Sequence, residues 1–587
     1  MISLTPAQRD AVQCQDNLML SACPGSGKTR VIVAKLLRLA ESVEATPRSI
    51  GCITYTNAAV DEIEARVRQV GTNALFDRCE IATIHSFCLQ FILRPYRWML
   101  QELPADLKIL TREMRLFDRL VRTVEDEQGS ETQFRTFEDY ASIRMNIYGD
   151  PAGSGMEKGI VTEATARRFW ELMLANGYID FSMILYYSLQ IIRDHPFVGD
   201  GLSSRFAWLL VDEFQDTTDV QVEILRVLQE RLHSQFFLVG DEHQSIHAFA
   251  GARPDLANEF ANLIGARQDI FLSGNFRSVE QIIVPAQKLI PRDPAMYPSG
   301  KAAGSDGSVT YVHAPNATDA VTDHFLPQLE ENGIPLGQAA ILAPWWHHLV
   351  PIARTLRGFD VPVFGPGARP YQRRRLFASL AEQLGASVAS ETLRVLPGVE
   401  KALFRLISEA MGASRFDLFS YKGRRMSLAL VYEAKRIADL HLGGMDWLRE
   451  CAQSAGQILM AEEWIDAATA EAIEPSVEEM HADMTRNEID VANLQIEDLG
   501  LFADPDSAIK LITMHNSKGR EFDAVAIVHA NEGQIPHFTA RTEEEFEEAR
   551  RLFYVGITRA RRHLVVCSDQ SHYNNVPTRF IDEAGLD

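Results

Sequence analysis

The stretch Ala22-Cys23-Pro24-Gly25-Ser26-Gly27-Lys28-Thr29 has the residue types of a phosphate cradle. A glycine-rich turn can point successive backbone N–H groups at an anion, and a following helix adds its positive N-terminal dipole. Gly25 and Gly27 let the backbone approach without a Cβ in the way. In this pattern Lys28 reaches the β- and γ-phosphates and the Thr29 hydroxyl ligates Mg²⁺. A second pair, Asp212-Glu213, follows the apolar run Trp208 to Val211. There Asp212 is a candidate Mg²⁺ ligand and Glu213 a candidate to orient or deprotonate an attacking water. Together the two stretches are the halves of an ATP-hydrolysing site, with ATP and Mg²⁺ as the implied substrate and cofactor.

Elements must hold these residues in place. The short apolar run Asn17 to Leu20 before the phosphate loop and the apolar-periodic segment Val31 to Leu39 after it predict strand, loop, helix. Thr5 can cap a preceding helix with Pro6 in its first turn. Gln8 lies just before the loop; its amide can offer a donor and an acceptor to an adenine edge, or it is an ordinary surface glutamine. Ile50 to Thr56 reads as a strand, with a helix from Asn57 to Val70, and a further strand ends in Thr83-Ile84-His85-Ser86-Phe87. Tyr55 is placed to stack on a base and Asn57 to contact a phosphate, although Tyr55 also fits a half-buried strand aromatic. Phe236 to Val239 is another strand, followed by Gln244, which could sense a γ-phosphate, and Phe249, which could stack on a base. Asp269 to Ser273 runs into Asn275-Phe276-Arg277-Ser278, which sets an arginine just past a strand end. Later strands are read at Val309 to Val312, Ala339 to Leu342, Lys510 to Met514, Ala524 to Val528 and His563 to Cys567. From about Cys88 to Ser204, and again from Arg373 to about Met484, the pattern is helical, as two insertions would be.

Length and composition set the frame. At 587 residues the chain should hold several domains, each with its own core. The seven cysteines are scattered without CxxC or CxxH pairs, which argues against zinc, an iron–sulfur cluster or a disulfide framework and for a reducing, cytoplasmic setting. No leader and no bilayer-length apolar run is read. The net charge of −22 does not itself exclude nucleic acid, because binding follows local patches. Basic residues cluster at Arg94 and Arg97, Arg373 to Arg375, Arg424 and Arg425, and Arg559 with Arg561 and Arg562, each equally readable as a solvated face. Between Glu462 and Ile509 the one Lys or Arg is Arg486. That acidic stretch is either a solvated face or a surface that repels DNA and docks a protein.

The order and spelling of these residues resemble the UvrD/Rep/PcrA family of superfamily 1A DNA helicases. The resemblance is carried by Asp212-Glu213-Phe214-Gln215-Asp216, Val239-Gly240-Asp241 with Gln244-Ser245-Ile246, and Asn275-Phe276-Arg277-Ser278. His515 with Lys518-Gly519 and Glu521-Phe522, and Tyr554-Val555 with Thr558-Arg559-Ala560, complete it in family order. It implies an α/β fold of two RecA-like parallel-sheet cores, each interrupted by a mainly helical insertion. The expected domains are an ATP-binding core of 1–87 and 205–275 with insertion 88–204, and a second core of 276–372 and 507–587 with insertion 373–506. It implies that Gln8 reads adenine, Arg30 and Phe276 sandwich its ring, and Glu521 binds the ribose. Gln244 then contacts the γ-phosphate, and Arg277 and Arg559 are arginine fingers from the second core. Tyr55, His85, Phe249 and His515 lie along a strand-binding groove.

The activity implied is ATP-driven 3′→5′ movement on single-stranded or tailed duplex DNA, in repair or antiphage defence. The alternative is a DNA-sensing ATPase that supports a partner nuclease with little unwinding, as in compact members resembling the helicase component of Gabija-type systems. Intact Lys28, Thr29, Asp212, Glu213, Arg277 and Arg559 speak against an inert scaffold. Five positions depart from the usual pattern: Ala22 for Gly, Phe276 for Tyr, His247 for Tyr, Ala250 for Arg and Ala58 for Lys. The missing arginine at position 250 is expected to weaken coupling between DNA and the γ-phosphate, and Ala58 removes a phosphate contact, so hydrolysis is expected to outlast strong unwinding.

Overall fold

The structure is a computed structural model. It describes residues 3–104, 106–112, 114–128, 137–231, 234–389, 395–411, 421–440, 443–487, 489–503, 505–571 and 575–586. The chain folds as two compact units. One comprises Met1–Gly307, Thr539–Arg562 and Asp582–Gly585; the other comprises Ser308–Phe538, His563–Ile581 and Leu586–Asp587.

The first unit is built on a six-stranded parallel sheet. Its strands run, side by side, Phe271–Leu272, Leu18–Ala22, Gln235–Gly240, Phe206–Val211, Ser49–Thr54 and Cys79–Thr83. Every residue of Ser49–Thr54 is buried, which is what a strand covered by helices on both faces requires. Val31, Ile32, Leu36 and Leu39 of helix Lys28–Val43 pack with Leu18, Leu20, Phe237 and Val239 on one side. Helix Phe181–Asp194 and the aromatic group Phe87, Phe91 and Phe206 belong to the core on the other.

Local chemistry places the element ends. Thr5 and Gln8 form a reciprocal capping box around helix Pro6–Gln13. Thr56 caps helix Asn57–Val70 by accepting from the Ala59 N–H. The strand expected to reach Phe87 stops at Thr83, whose hydroxyl caps a short helix, Ile84–Cys88. His85 and Ser86 therefore stand in a first helical turn and not on a strand. The described residues from 84 to 205 are mainly helical, and among them Lys108–Ile109 pairs with Tyr178–Ile179 and Arg144–Met145 with Pro151–Ala152.

The second unit has its own six-stranded sheet, ordered Ser308–Ala314, Ala560–Asp569, Phe522–Ile527, Ala339–Ala343, Ile509–Thr513 and Val363–Phe364. The registers Ser308↔His563, Ala339↔Ala524, Ala340↔Lys510 and Val363↔Ile509 are all parallel. Helices Ala378–Ala389, Leu396–Met411, Tyr421–Ala438, Gly444–Ala461 and Ala467–Arg486 pack around Phe377, Trp447, Trp464 and Met480. Here the basic cluster Arg373 to Arg375 meets the acidic stretch. Arg375 makes a two-pronged pair with buried Asp483 (2.7 and 2.8 Å) and a bond to Glu479 (3.0 Å). Part of that acid is thus turned onto the chain's own arginine.

Candidate nucleotide site and nucleic-acid groove

Parallel strands deliver their following loops to one edge of the sheet, where α/β folds bind ligands. In the first unit that edge receives the phosphate loop after Leu18–Ala22, Tyr55 after Ser49–Thr54, Asp212 and Glu213 after Phe206–Val211, and Asp241 after Gln235–Gly240. Cys23, Pro24 and Ser26 are buried, and the Ser26 Oγ has no hydrogen-bond partner, as expected of a hydroxyl facing an anion seat. Gly25 and Gly27 have φ of 68° and 82°, in the left-handed region. A Cβ on Gly25 would come within 2.4 Å of Asn275 Oδ1. Thr29 and Arg30 follow Lys28 in the first turn of the helix.

Lys28 Nζ lies 3.2 Å from Glu213 Oε1. Burial pushes the Lys28 ammonium down, but Glu213, Asp241 and Asp212 outweigh it and hold it above its ordinary value. Burial and the neighbouring Glu213 charge push the Asp212 carboxyl up to about 7. Two adjacent carboxylates thus face one lysine. No group of three or more His, Cys, Asp or Glu able to hold a metal occurs among the described residues. The two carboxylates beside the phosphate loop are the donor type that Mg²⁺ takes alongside substrate phosphates.

The arginines come from further along the chain yet belong to the same unit. The Phe276 N–H donates to the Gly25 carbonyl (2.8 Å), and the Arg277 and Ser278 N–H groups both donate to Asn275 Oδ1. Arg277 Nη1 bonds the Thr558 carbonyl (3.4 Å) and Ser278 Oγ the Ala560 carbonyl (2.8 Å). Arg559, 1 % exposed, donates from Nη2 to Gln244 Oε1 (3.0 Å) and from Nε to the Val555 carbonyl (2.9 Å). Gln244 Nε2 donates to Asp241 Oδ2 (2.6 Å), and Gln215 Nε2 to Glu213 Oε2 (2.6 Å). Arg30 stands 5.8 Å from the centre of the Phe276 ring. Gln8 is buried and not a surface residue. Its Oε1 accepts from the Thr5 N–H (3.0 Å) and its Nε2 donates to the Ser26 carbonyl (2.9 Å), so it braces the phosphate loop.

Beside this pocket is a cavity of about 340 Å³. Tyr55, Asn57, His85 and Phe181 line it together with Thr83 and Ser86. Tyr55 stacks on His247 (5.6 Å between ring centres, 18° between planes), and His85 meets Phe181 edge-on at 5.3 Å. Burial pushes His85 down to about 4, so its ring is neutral near pH 7. A narrower cleft shares Tyr55 with Asp212 and Glu213.

Residues 4–264 match the family model of the UvrD/REP helicase N-terminal domain, and residues 463–571 that of the UvrD-like helicase C-terminal domain. The chain belongs to the UvrD-like helicases. It is 26% identical to the ATP-dependent DNA helicase Rep of Salmonella typhimurium, over 100% of this chain and 94% of that protein. It is 26% identical to DNA helicase II of Escherichia coli (99% and 87%) and 25% identical to the ATP-dependent DNA helicase PcrA of Bacillus subtilis (96% and 82%).

Of the residues that the family likeness singles out, Glu521 and His515 lie in the second unit. Glu521 immediately precedes strand Phe522–Ile527, and His515 opens a short helical turn after Ile509–Thr513. Burial pushes His515 down to about 4. The Phe249 side chain lies outside the described residues. Sequence reasoning missed Phe181, Arg292 and the part of Asn275 that spans two N–H groups. Phe181 is an exposed aromatic at a helix start, just after the cap Asp180, and that placement could have marked it. No helix among the described residues is long and apolar enough to cross a membrane.

Proposed function

We propose that the chain is an ATP-dependent DNA helicase that translocates 3′→5′ on single-stranded DNA. The observation that carries this reading is the gathering of Lys28, Glu213, Gln244 and Arg559 in one bonded set, next to a cavity lined by Tyr55, Asn57 and His85. Phosphoryl transfer needs its charge neutralised and its groups positioned more than it needs covalent chemistry. The N–H groups of residues 25–29 and Lys28 would cradle the phosphates, with Phe276 and Arg30 flanking the base. Thr29 and Asp212 would hold Mg²⁺, which when bound neutralises phosphate charge. Glu213 would orient or deprotonate the attacking water, and arrival of the γ-phosphate would draw Lys28 off it. Arg277 and Arg559 would stabilise the charge that develops in the transition state. The aromatic lining suits a motor that must step on any sequence, since every base has a π-face. The direction of movement rests on the family likeness.

A DNA-sensing ATPase that supports a partner nuclease is the second reading, favoured by Ala250 and Ala58 where the family has basic residues. Strand displacement by the purified chain on a 3′-tailed duplex separates the two: ATP-dependent release of the displaced strand supports the helicase, and DNA-stimulated hydrolysis without release supports the sensor. Lys28→Ala should abolish turnover in either case, and hydrolysis at the wild-type rate in that variant refutes the nucleotide site.

A further inference from the structure

Arg292 belongs to no motif, yet it enters the centre of the first unit. Its side chain is 11% exposed, and its Nη1 donates to Asp241 Oδ1 (2.9 Å) and to the Tyr554 hydroxyl (3.1 Å). Asp241 is fully buried, and its other oxygen accepts from Gln244 Nε2. Arg559 donates to the opposite end of the same amide. A carboxylate can only accept and a guanidinium can only donate, so Gln244 has one orientation here, nitrogen to Asp241 and oxygen to Arg559. The Asp241 N–H donates in turn to Gln215 Oε1 (2.9 Å), and Gln215 holds Glu213. Asp241 is thus the junction between Gln244, which meets Arg559, and Gln215, which meets Glu213. Arg292 is the cation bonded to it.

We propose that Arg292 is a positioning residue for ATP hydrolysis, acting through Asp241 to fix the side-chain amide of Gln244 against Arg559. The inference rests on the ATPase reading above. Burial alone pushes the Asp241 carboxyl up; Arg292, then Lys28 and His243, with the Gln244 amide, bring it below its ordinary value. Cys23 and Tyr554 also interact with it, and burial keeps both neutral. Without Arg292, Asp241 becomes protonated at a higher pH. A protonated carboxyl can donate as well as accept, so it no longer demands the amide nitrogen of Gln244, and one of the two partners that fix the amide's orientation is lost.

The test is steady-state hydrolysis across pH, with nucleotide affinity measured separately by a fluorescent ATP analogue. Arg292→Met should lower kcat on the order of a hundredfold, the cost of a misplaced catalytic group, with KM and analogue affinity little changed. It should also move the acidic limb of kcat to higher pH than in the wild type, and Arg292→Lys should recover much of the rate and restore the limb. The double variant Arg292→Met/Asp241→Leu removes the buried pair as a unit and leaves no lone charge, so it tests the proposal even if Arg292→Met does not fold. It should bind the analogue, hydrolyse slowly and keep the acidic limb at the wild-type pH, since no Asp241 carboxyl is left to titrate. Wild-type kcat in either Met variant overturns the proposal, as does an equal loss of rate and nucleotide affinity. Absence of hydrolysis in the wild type with DNA present instead refutes the ATPase reading itself.

Discussion

Glu213 sits at φ 51°, a left-handed backbone that a non-glycine residue adopts only when its surroundings hold it there. The Lys28 pair and the Gln215 bond supply that hold. The chemistry of the pocket was legible in the sequence because Lys28, Asp212 and Glu213 each follow a strand at a fixed offset. Arg292 was not legible, because its partner lies 51 residues away and its loop has no periodicity. Gln8 was half legible: its place before the phosphate loop was clear, but a sequence cannot show an amide bonded at both ends. At this scale the account predicts that Arg559→Ala keeps nucleotide binding and loses kcat on the order of a thousandfold, the usual cost of an arginine finger. Equilibrium analogue binding beside single-turnover hydrolysis checks this, and an unchanged kcat removes Arg559 from the mechanism.

The elements matter because each brings one chemical group to the same edge of a sheet. Apolar runs gave the central strands to within a residue or two, since buried parallel strands are apolar throughout. Helix Asn57–Val70 was read at both ends; Thr56, read as the last strand residue, is its cap, and Gly71 ends it. The turn at Thr83 was misread because Ile84 and Phe87 extend an apolar pattern that suits strand and helix equally; the Thr83 cap decides it. The phosphate loop is pressed against the Asn275-to-Ser278 turn, so Gly25→Ala should cost on the order of 1–3 kcal/mol in strain and lower nucleotide affinity in a titration. Tyr55→Ala and Phe181→Ala should each weaken single-stranded DNA binding by about 1–3 kcal/mol, read by fluorescence anisotropy at fixed salt. Unchanged affinity in both variants would remove the cavity from the groove.

For the whole molecule, each unit carries its own parallel sheet and core, and the division of the chain at 307 and 308 does not coincide with any motif. The helical-versus-sheet character of long segments was legible from periodicity; the sharing of strands between two cores was read from the family resemblance alone, since contacts between distant segments leave no periodicity. The second unit has an acid-sensitive point of its own. Asp569 is fully buried, and although burial pushes its carboxyl up, the His529 bond (2.8 Å) and Ser571 bring it down to about 2. A depressed carboxyl contributes stability that is present above its unfolded value near 4 and is lost as pH falls toward 2, here on the order of 2 kcal/mol. Asp569→Asn should therefore narrow the stability gap between neutral and acid pH in denaturant titrations.

The central claim is that one bonded set of residues, from Lys28 to Arg559, turns over ATP in response to single-stranded DNA. Steady-state ATP hydrolysis by the purified wild-type chain, with and without an oligonucleotide, tests it most directly. The account predicts turnover that rises several-fold when DNA is added and that Lys28→Ala and Arg559→Ala both remove. Hydrolysis that is absent, or that is present in the wild type and survives in both variants, contradicts it.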